Sequence, residues 1–192
     1  MANYLIVGLG NHPEQYNNSR HNCGYLVVDH LAKELNLTFN KENFSGVFCS
    51  FSIEDNKYFI VKPTTFMNLS GDCVTAIMNY YKIPISNLIV VCDDADGLVG
   101  SLRIRKDGSS GGQNGLKDII NKVGTDKFTR VKLGIGRPED HHISLADYVL
   151  SNFTMEQRHK IDLVVKKTCE MLMHYINGKP IDYLISQYNR IW

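Results

Sequence analysis

The sequence predicts an α/β fold: one domain built as a three-layer α/β/α sandwich around a twisted, mixed and largely parallel sheet. Two observations support this prediction. Continuous apolar runs such as Leu88–Cys92 are typical of strands buried on both faces, and they alternate with segments whose apolar residues recur at helical spacing. The 192 residues and 43% hydrophobic content suit one core. No repeat or linker divides the chain, so we expect one domain over residues 1–192.

The elements of the first half follow from apolar patterning and turn residues. Short apolar runs predict four strands, which are Tyr4–Gly8, Val47–Ile53, Tyr58–Lys62 and Leu88–Cys92. Helical spacing predicts helices over about 22–35 and around 74–81. The second of these ends before Pro84, because proline cannot continue a helix. A loop rich in Gly, Pro and Asn joins the first strand to the first helix.

The second half continues the alternation. Leu102–Arg105 alternates apolar and basic residues, which predicts a strand with one exposed face. Leu116–Val123 is a predicted helix and Arg130–Ile135 a predicted strand. A C-terminal helix begins at the capping-box pair Thr154 and Gln157 and ends at residues 178–180, Gly-Lys-Pro.

The composition excludes several protein classes. No apolar run is long enough to span a bilayer, and the short run Tyr4–Leu9 lacks the preceding basic region of a secretory signal. We therefore expect a cytoplasmic protein with no membrane partner. The five cysteines are scattered without paired, metal-like spacing, which predicts reduced, buried thiols and no metal site.

The net charge is only +1, but basic residues are concentrated in one segment. Residues 103–137 hold nine Lys/Arg and three Asp/Glu, whereas residues 1–102 hold six and ten. A solvated face is one interpretation of this segment. The other is a surface that follows the phosphates of a nucleic acid.

Polar residues follow the predicted strands, where the sites of α/β proteins gather. One histidine, an acidic run, a glycine-rich loop at 108–115 and three asparagines are placed to converge there. His21 lies near a helix start, which favours a neutral imidazole able to accept a proton. Asp93 is placed to orient its other ring nitrogen. No serine or cysteine stands out as a nucleophile, so the pattern predicts activated water.

Other residues suit substrate binding. Asn11, Asn68 and Asn114 are candidate amide donors to a developing oxyanion, although asparagine is also common in turns. Phe66 and Met67 are a candidate apolar lip or part of the core. Two nucleotide-binding motifs are rejected: Gly8-Leu9-Gly10 lacks the third glycine of a dinucleotide fingerprint, and the 108–115 loop lacks the Gly-Lys-Ser/Thr ending of a P-loop.

Several segments together resemble the bacterial peptidyl-tRNA hydrolase family in order, spacing and total length. They are Val7–Asn11, Ser19–Asn22, Lys62–Gly71, Asp93-Asp94, Gly108–Lys117 and Gly134–Pro138. The run Pro-Thr-Thr-Phe-Met-Asn-Leu-Ser-Gly within 63–71 is the most specific of them. The resemblance implies an α/β enzyme that hydrolyses the ester between a peptide and the terminal ribose of tRNA, without metal, cofactor or required protein partner, and usually as a monomer.

The resemblance also implies roles for individual residues. His21 corresponds to the catalytic base and Asp93 to its partner, and Asn11, Asn68 and Asn114 correspond to amides that position substrate and water. Tyr16 and Met67 correspond to lining residues of the cleft. Arg105 and Lys117, joined by Lys132, fall where basic residues of the family meet tRNA phosphates.

This chain departs from the family pattern at four places. They are His12-Pro13, Cys92, Gly97–Val99 and Gln113, the last standing where histidine usually precedes Asn114. None removes a residue proposed for the chemistry, but Gln113 changes one expected tRNA or ester contact, because an amide cannot titrate or stack like an imidazole. Two alternatives stay open from sequence: a non-catalytic RNA-binding relative, and a hydrolase of other acyl esters or peptides.

Overall fold

The computed structural model describes all residues 1–192, and its eight strands form one sheet in the order β2-β3-β4-β1-β5-β7-β6-β8. The strands are β1 (Asn3–Gly8), β2 (Lys41–Asn43), β3 (Gly46–Ile53), β4 (Asn56–Pro63), β5 (Leu88–Asp94), β6 (Ser101–Arg105), β7 (Thr129–Gly134) and β8 (Arg190–Ile191). β4, β1, β5 and β7 are mutually parallel, and the strands on both sides of them pair antiparallel. The sheet is mixed with a parallel centre, as predicted.

Helices cover both faces of the sheet and complete three layers. They are α1 (Cys23–Glu34), α2 (Ser70–Tyr81), α3 (Asn114–Val123), α4 (Leu145–Leu150), α5 (Met155–Ile176) and α6 (Ile181–Tyr188). One apolar cluster packs α1, α5 and α6 against the sheet, and a second packs α2 and α3 against the opposite face. This arrangement buries alternate residues of the central strands in different clusters, which explains their continuous apolar runs.

The predicted elements are present, with some boundaries corrected. β5 extends to Asp94, so Asp93 lies within the strand rather than after it. The capping box of Thr154 and Gln157 starts α5 as predicted. The prediction lacked β2, β8, α4 and α6. α6 was missed because Pro180 ends the preceding segment and is also the N-cap of the next helix, so that no polar capping residue marks where α6 begins.

A close contact between α1 and the strand ends positions the residues before this helix. A Cβ atom on Gly24 would lie 2.4 Å from both the Leu9 nitrogen and the Val91 oxygen. Only glycine lets the first turn of α1 approach β1 and β5 so closely. The segment just before α1, which contains His21, is thereby held against the carboxyl end of β5.

Candidate active site

His21 and Asp93 are in direct contact at the carboxyl edge of the sheet. His21 lies in a 3₁₀ turn, Arg20–Asn22, that leads into α1, and its Nδ1 is 2.8 Å from Asp93 Oδ2. Both residues are buried, at 7% and 3% exposure. An ionised carboxylate only accepts hydrogen bonds, so Nδ1 carries the proton and Nε2 is left as an acceptor. Nε2 has no protein partner, and His21 lines two clefts.

Cysteines near this pair are unsuited to act as nucleophiles. Burial raises the pKa of the Cys23 thiol well above its ordinary value, and the negative charge of Asp93 raises it further. The same two causes raise the pKa of Cys92, which precedes Asp93 in β5. Because the thiolate is the reactive form, both side chains behave as small apolar groups at neutral pH.

The side chain of Asn11 is oriented by its neighbours. Its Oδ1 accepts a hydrogen bond from the Met67 backbone N–H at 3.3 Å. The amino group therefore points elsewhere, and it has no hydrogen-bond partner within the protein. Asn11 and Met67 both line the second cleft, so this amino group is available to a bound ligand.

The start of α3 brings two further residues to the site. Gln113 caps the helix by accepting a hydrogen bond from Leu116 N–H at 2.7 Å, and it donates to Asp93 Oδ1 at 3.0 Å. Asn114 is the first helical residue and lines both clefts with an exposed side chain. The sequence showed Gln113 only as a departure from the family pattern, and its contact with Asp93 is visible only in three dimensions.

Two clefts flank His21, and α4 forms the wall that they share through Ala146 and Val149. The first has a volume of about 130 Å³ and contains Lys132 and the loop residues Ser110–Gln113. The second has a volume of about 280 Å³ and is more apolar. Its lining includes the predicted residues Tyr16, Phe66, Met67 and Asn68. Phe66 is 72% exposed, which places it on the rim rather than in the core.

The wall formed by α4 was missed from the sequence, although a signal was present. Ser144 caps this short helix by accepting a hydrogen bond from Asp147 N–H at 3.1 Å, a pattern typical of a helix start. Arg20 fixes α4 to the turn that carries His21, since its guanidinium lies 4.1 Å from the centre of the Tyr148 ring and donates to Ser151 Oγ.

The loop at 108–115 reaches the site by a route different from the expected one. β6 is antiparallel to β7, so the loop begins at the opposite edge of the sheet from the clefts. Arg130, fully buried in β7, donates to the carbonyl oxygens of Gly108, Ser109, Asp126 and Phe128. Farther along β7, Gly111 lies beside the Lys132 ammonium group. The loop therefore runs along β7 toward the clefts.

The basic segment divides into paired and unpaired residues. Arg103, Lys106, Lys122 and Arg137 form ion pairs with carboxylates, and Arg130 is occupied by carbonyl groups. The remaining cations, which have no carboxylate partner within 4.0 Å, are Arg105, Lys117, Lys127 and Lys132. Lys132 lines the first cleft, whereas Arg105 and Lys117 line neither.

Arg105 lies at some distance from the reactive residues. Arg105 in β6 lies opposite Arg130 in the strand register. Leu133, three residues farther along β7, lies opposite Asp93 in β5. At about 3.3 Å per residue, this separation is about 10 Å along the strands.

Two further observations bear on metal binding and membrane insertion. No group of three or more His, Cys, Asp or Glu side chains is arranged to hold a metal ion. No helix has the length and apolar character needed to cross a membrane.

The chain is similar to known proteins over nearly its whole length. A sequence profile of the family described as Peptidyl-tRNA hydrolase matches residues 5–191. A peptidyl-tRNA hydrolase of Lacticaseibacillus casei is 43% identical over 185 residues, which cover 96% of this chain and 99% of that protein. The Bacillus subtilis protein of the same name is 40% identical over 188 residues, covering 96% and 97%.

A solved structure extends this similarity to the fold. The crystal structure of peptidyl-tRNA hydrolase from Acinetobacter baumannii superimposes with a TM-score of 0.90 at 29% identity, covering 97% of this chain and 94% of that chain. The match confirms the fold class that the sequence predicts.

Proposed function

The chain belongs to the peptidyl-tRNA hydrolase family and is a hydrolase of peptidyl-tRNA, and we propose that His21 is the base that activates water for this reaction. The contact between His21 Nδ1 and Asp93 Oδ2, at 2.8 Å, is the observation that carries the proposal. It leaves Nε2 as the acceptor on the side of the ring that faces the clefts. General-base assistance of this kind contributes about 10²–10⁴ in rate.

The proposed hydrolysis needs no reactant other than water and the ester. Nε2 of His21 takes a proton from water as the water oxygen bonds to the ester carbonyl carbon. Asp93 stabilises the imidazolium that forms. The bond between that carbon and the ribose oxygen then breaks, and the imidazolium returns its proton to the ribose oxygen. The products are a peptide with a free carboxyl group and tRNA with a free terminal hydroxyl group.

Asparagine amides are the proposed donors to the developing oxyanion. The amino group of Asn11 supports this role, because its oxygen is already occupied by Met67 N–H. Asn68 and Asn114 also line the second cleft and have exposed side chains, which suits the positioning of substrate and water. A well-placed donor to an oxyanion contributes about 10²–10³ in rate.

The two clefts suit the two halves of the substrate. The apolar lining of the second cleft, with Tyr16, Phe66 and Met67, fits the peptide. The first cleft, with Lys132 and the glycine-rich loop, fits the terminal nucleotide and its phosphate. Arg105 and Lys117 lie outside both clefts and suit more distant tRNA phosphates. We further propose that the protein acts in the cytoplasm and that it is a monomer.

The test is peptide release from an N-blocked aminoacyl-tRNA by the wild type and by His21→Ala. We expect cleavage by the wild type without added metal and with chelator, a loss of at least about 100-fold in the variant, and unchanged tRNA binding. His142→Ala is the matched control, because His142 Nδ1 lies 3.0 Å from Asp140 but the residue is exposed and lines neither cleft.

Three outcomes would contradict parts of the proposal. A fully active His21→Ala variant would exclude His21 as the base. Activity that chelator abolishes would contradict metal-independent cleavage. If small esters were cleaved as fast as the tRNA ester, and if neither rate changed with salt, the tRNA half of the substrate would contribute nothing to recognition.

A further inference from the structure

Gln113 connects the catalytic pair to the start of α3 through a single amide group. Its Oε1 accepts from Leu116 N–H at 2.7 Å, and its Nε2 donates to Asp93 Oδ1 at 3.0 Å. Nε2 also lies 3.4 Å from Met67 Sδ. The side chain is buried, at 8% exposure, so these contacts are not in competition with bulk water.

The backbone determines which way this amide points. A backbone N–H can only donate, so the atom of Gln113 that faces Leu116 N–H must be the oxygen. The amino group must then face Asp93. Asp93 consequently has one carboxylate oxygen bound by His21 and the other bound by Gln113. A carboxylate held at both oxygens cannot rotate away from the imidazole without breaking a buried hydrogen bond.

We propose that Gln113 is a positioning residue for hydrolysis, which holds Asp93 and, through it, the ring of His21. The inference rests on the proposed role of His21 as the base. An amide suits this position because it donates to the carboxylate without carrying a charge or a titratable proton. It also fixes Asn114 and the rest of α3 relative to the catalytic pair, since the same amide caps that helix.

Two substitutions separate the two hydrogen bonds of Gln113. Gln113→Met keeps the length of the side chain but removes both the donor and the acceptor. Gln113→Ser keeps a cap for Leu116 N–H, because serine is a preferred N-cap residue, but its side chain is too short to donate to Asp93. We expect both variants to lower kcat by about 10-fold to 100-fold, the range for removal of one hydrogen bond to a charged group. KM should change less than about twofold, because Lys132 in the first cleft and Tyr16 and Met67 in the second are unchanged.

The Nδ1 proton signal of His21 in NMR provides a readout that a capping role would not move, because it depends on the hydrogen bond to Asp93. Without the donor of Gln113, Asp93 is free to rotate away from the imidazole. Both variants should therefore weaken or broaden this signal. The other charged groups in the first cleft, Asp94 and Lys132, are unchanged in these variants.

Thr154→Ala is the control for removal of a helix cap. Thr154 caps α5 by accepting from Gln157 N–H, and it lines neither cleft. We expect Thr154→Ala to lower stability but to leave kcat and the Nδ1 proton signal of His21 unchanged. The proposal is wrong if Gln113→Ser restores wild-type kcat together with stability, or if both Gln113 variants keep the wild-type Nδ1 proton signal of His21. In either case an inactive His21→Ala variant would leave the proposed function standing.

Discussion

Asn22 binds both backbone polar groups of Asn11: its Oδ1 accepts from Asn11 N–H at 2.8 Å, and its Nδ2 donates to the Asn11 carbonyl oxygen at 3.0 Å. Asn22 directly follows His21 and is 1% exposed. The turn that carries the proposed base thus also holds the proposed oxyanion donor. The relative position of these two groups is set by one buried side chain.

Replacing Asn22 with alanine should therefore impair both stability and catalysis. Two buried backbone groups would be left without partners, at about 1–3 kcal/mol each, and kcat should fall at least about 10-fold as the Asn11 amide moves from its position. Urea unfolding and single-turnover cleavage measure the two effects.

Asn189→Ala is the matched control for this variant. Asn189 makes the same reciprocal pair with the backbone of Ile104, accepting at 2.6 Å and donating at 3.2 Å, but it lines neither cleft. The Asn189→Ala variant should be less stable than the wild type but keep the wild-type kcat. Equal reductions of kcat in the two variants would show that Asn22 acts through general stability alone.

Asp93→Asn should lower kcat by at least about 100-fold while tRNA binding is retained. The amide that replaces the carboxylate has one acceptor, whereas Asp93 accepts from both His21 and Gln113. One of these donors must then face an amino group. Single-turnover cleavage and equilibrium tRNA binding test the prediction.

The control for the removed charge is Asp94→Asn, because Asp94 pairs with Arg103 and not with His21. A reduction of kcat as large as that of Asp93→Asn would indicate that negative charge at this edge matters more than the orientation of His21.

Sequence alone predicted the parallel centre of the sheet, because buried central strands require continuous apolar runs such as Leu88–Cys92. It also placed His21 and Asp93 near each other, since both lie by the carboxyl ends of neighbouring parallel strands. The contacts of Asn22 and Gln113 were not predictable, because an asparagine or glutamine has many partners open to it until the backbone around it is fixed. The edge elements β2 and β8 were missed because three or two residues carry too little pattern.

Removal of unpaired cations should weaken tRNA binding and its dependence on salt. Lys117→Gln or Arg105→Gln should each reduce the slope of log K against log salt by about 0.7–0.9 for each phosphate that the side chain neutralises. Lys122→Gln, on the same helix as Lys117, is the control because Lys122 is already paired with Asp72 and Asp118. An equal change of slope in all three variants would contradict a specific role for the unpaired cations.

The five cysteines should resist thiol reagents in the native protein. Burial raises the pKa of Cys49 to about 11 and the pKa values of Cys73 and Cys169 to about 12. At pH 8 almost no thiolate is present at these residues, and reaction requires opening of the fold. Labelling with a chromogenic disulfide should be negligible in buffer and should reach five equivalents in denaturant. Rapid native labelling of even one thiol would contradict the prediction.

Arg130→Lys should destabilise the protein and loosen the loop that leads to the first cleft. The three nitrogens of the guanidinium donate to four carbonyl oxygens in different directions. The single ammonium nitrogen of a lysine cannot reach all four. The buried Phe128 carbonyl costs about 1–3 kcal/mol if it is left without a partner, and the more exposed carbonyls of Gly108, Ser109 and Asp126 cost less because water reaches them. Hydrogen exchange at residues 109–112 should accelerate more than exchange in α5, whose cap is unaltered. If exchange rises equally in both places, Arg130 supports the fold as a whole and does not specifically anchor this loop.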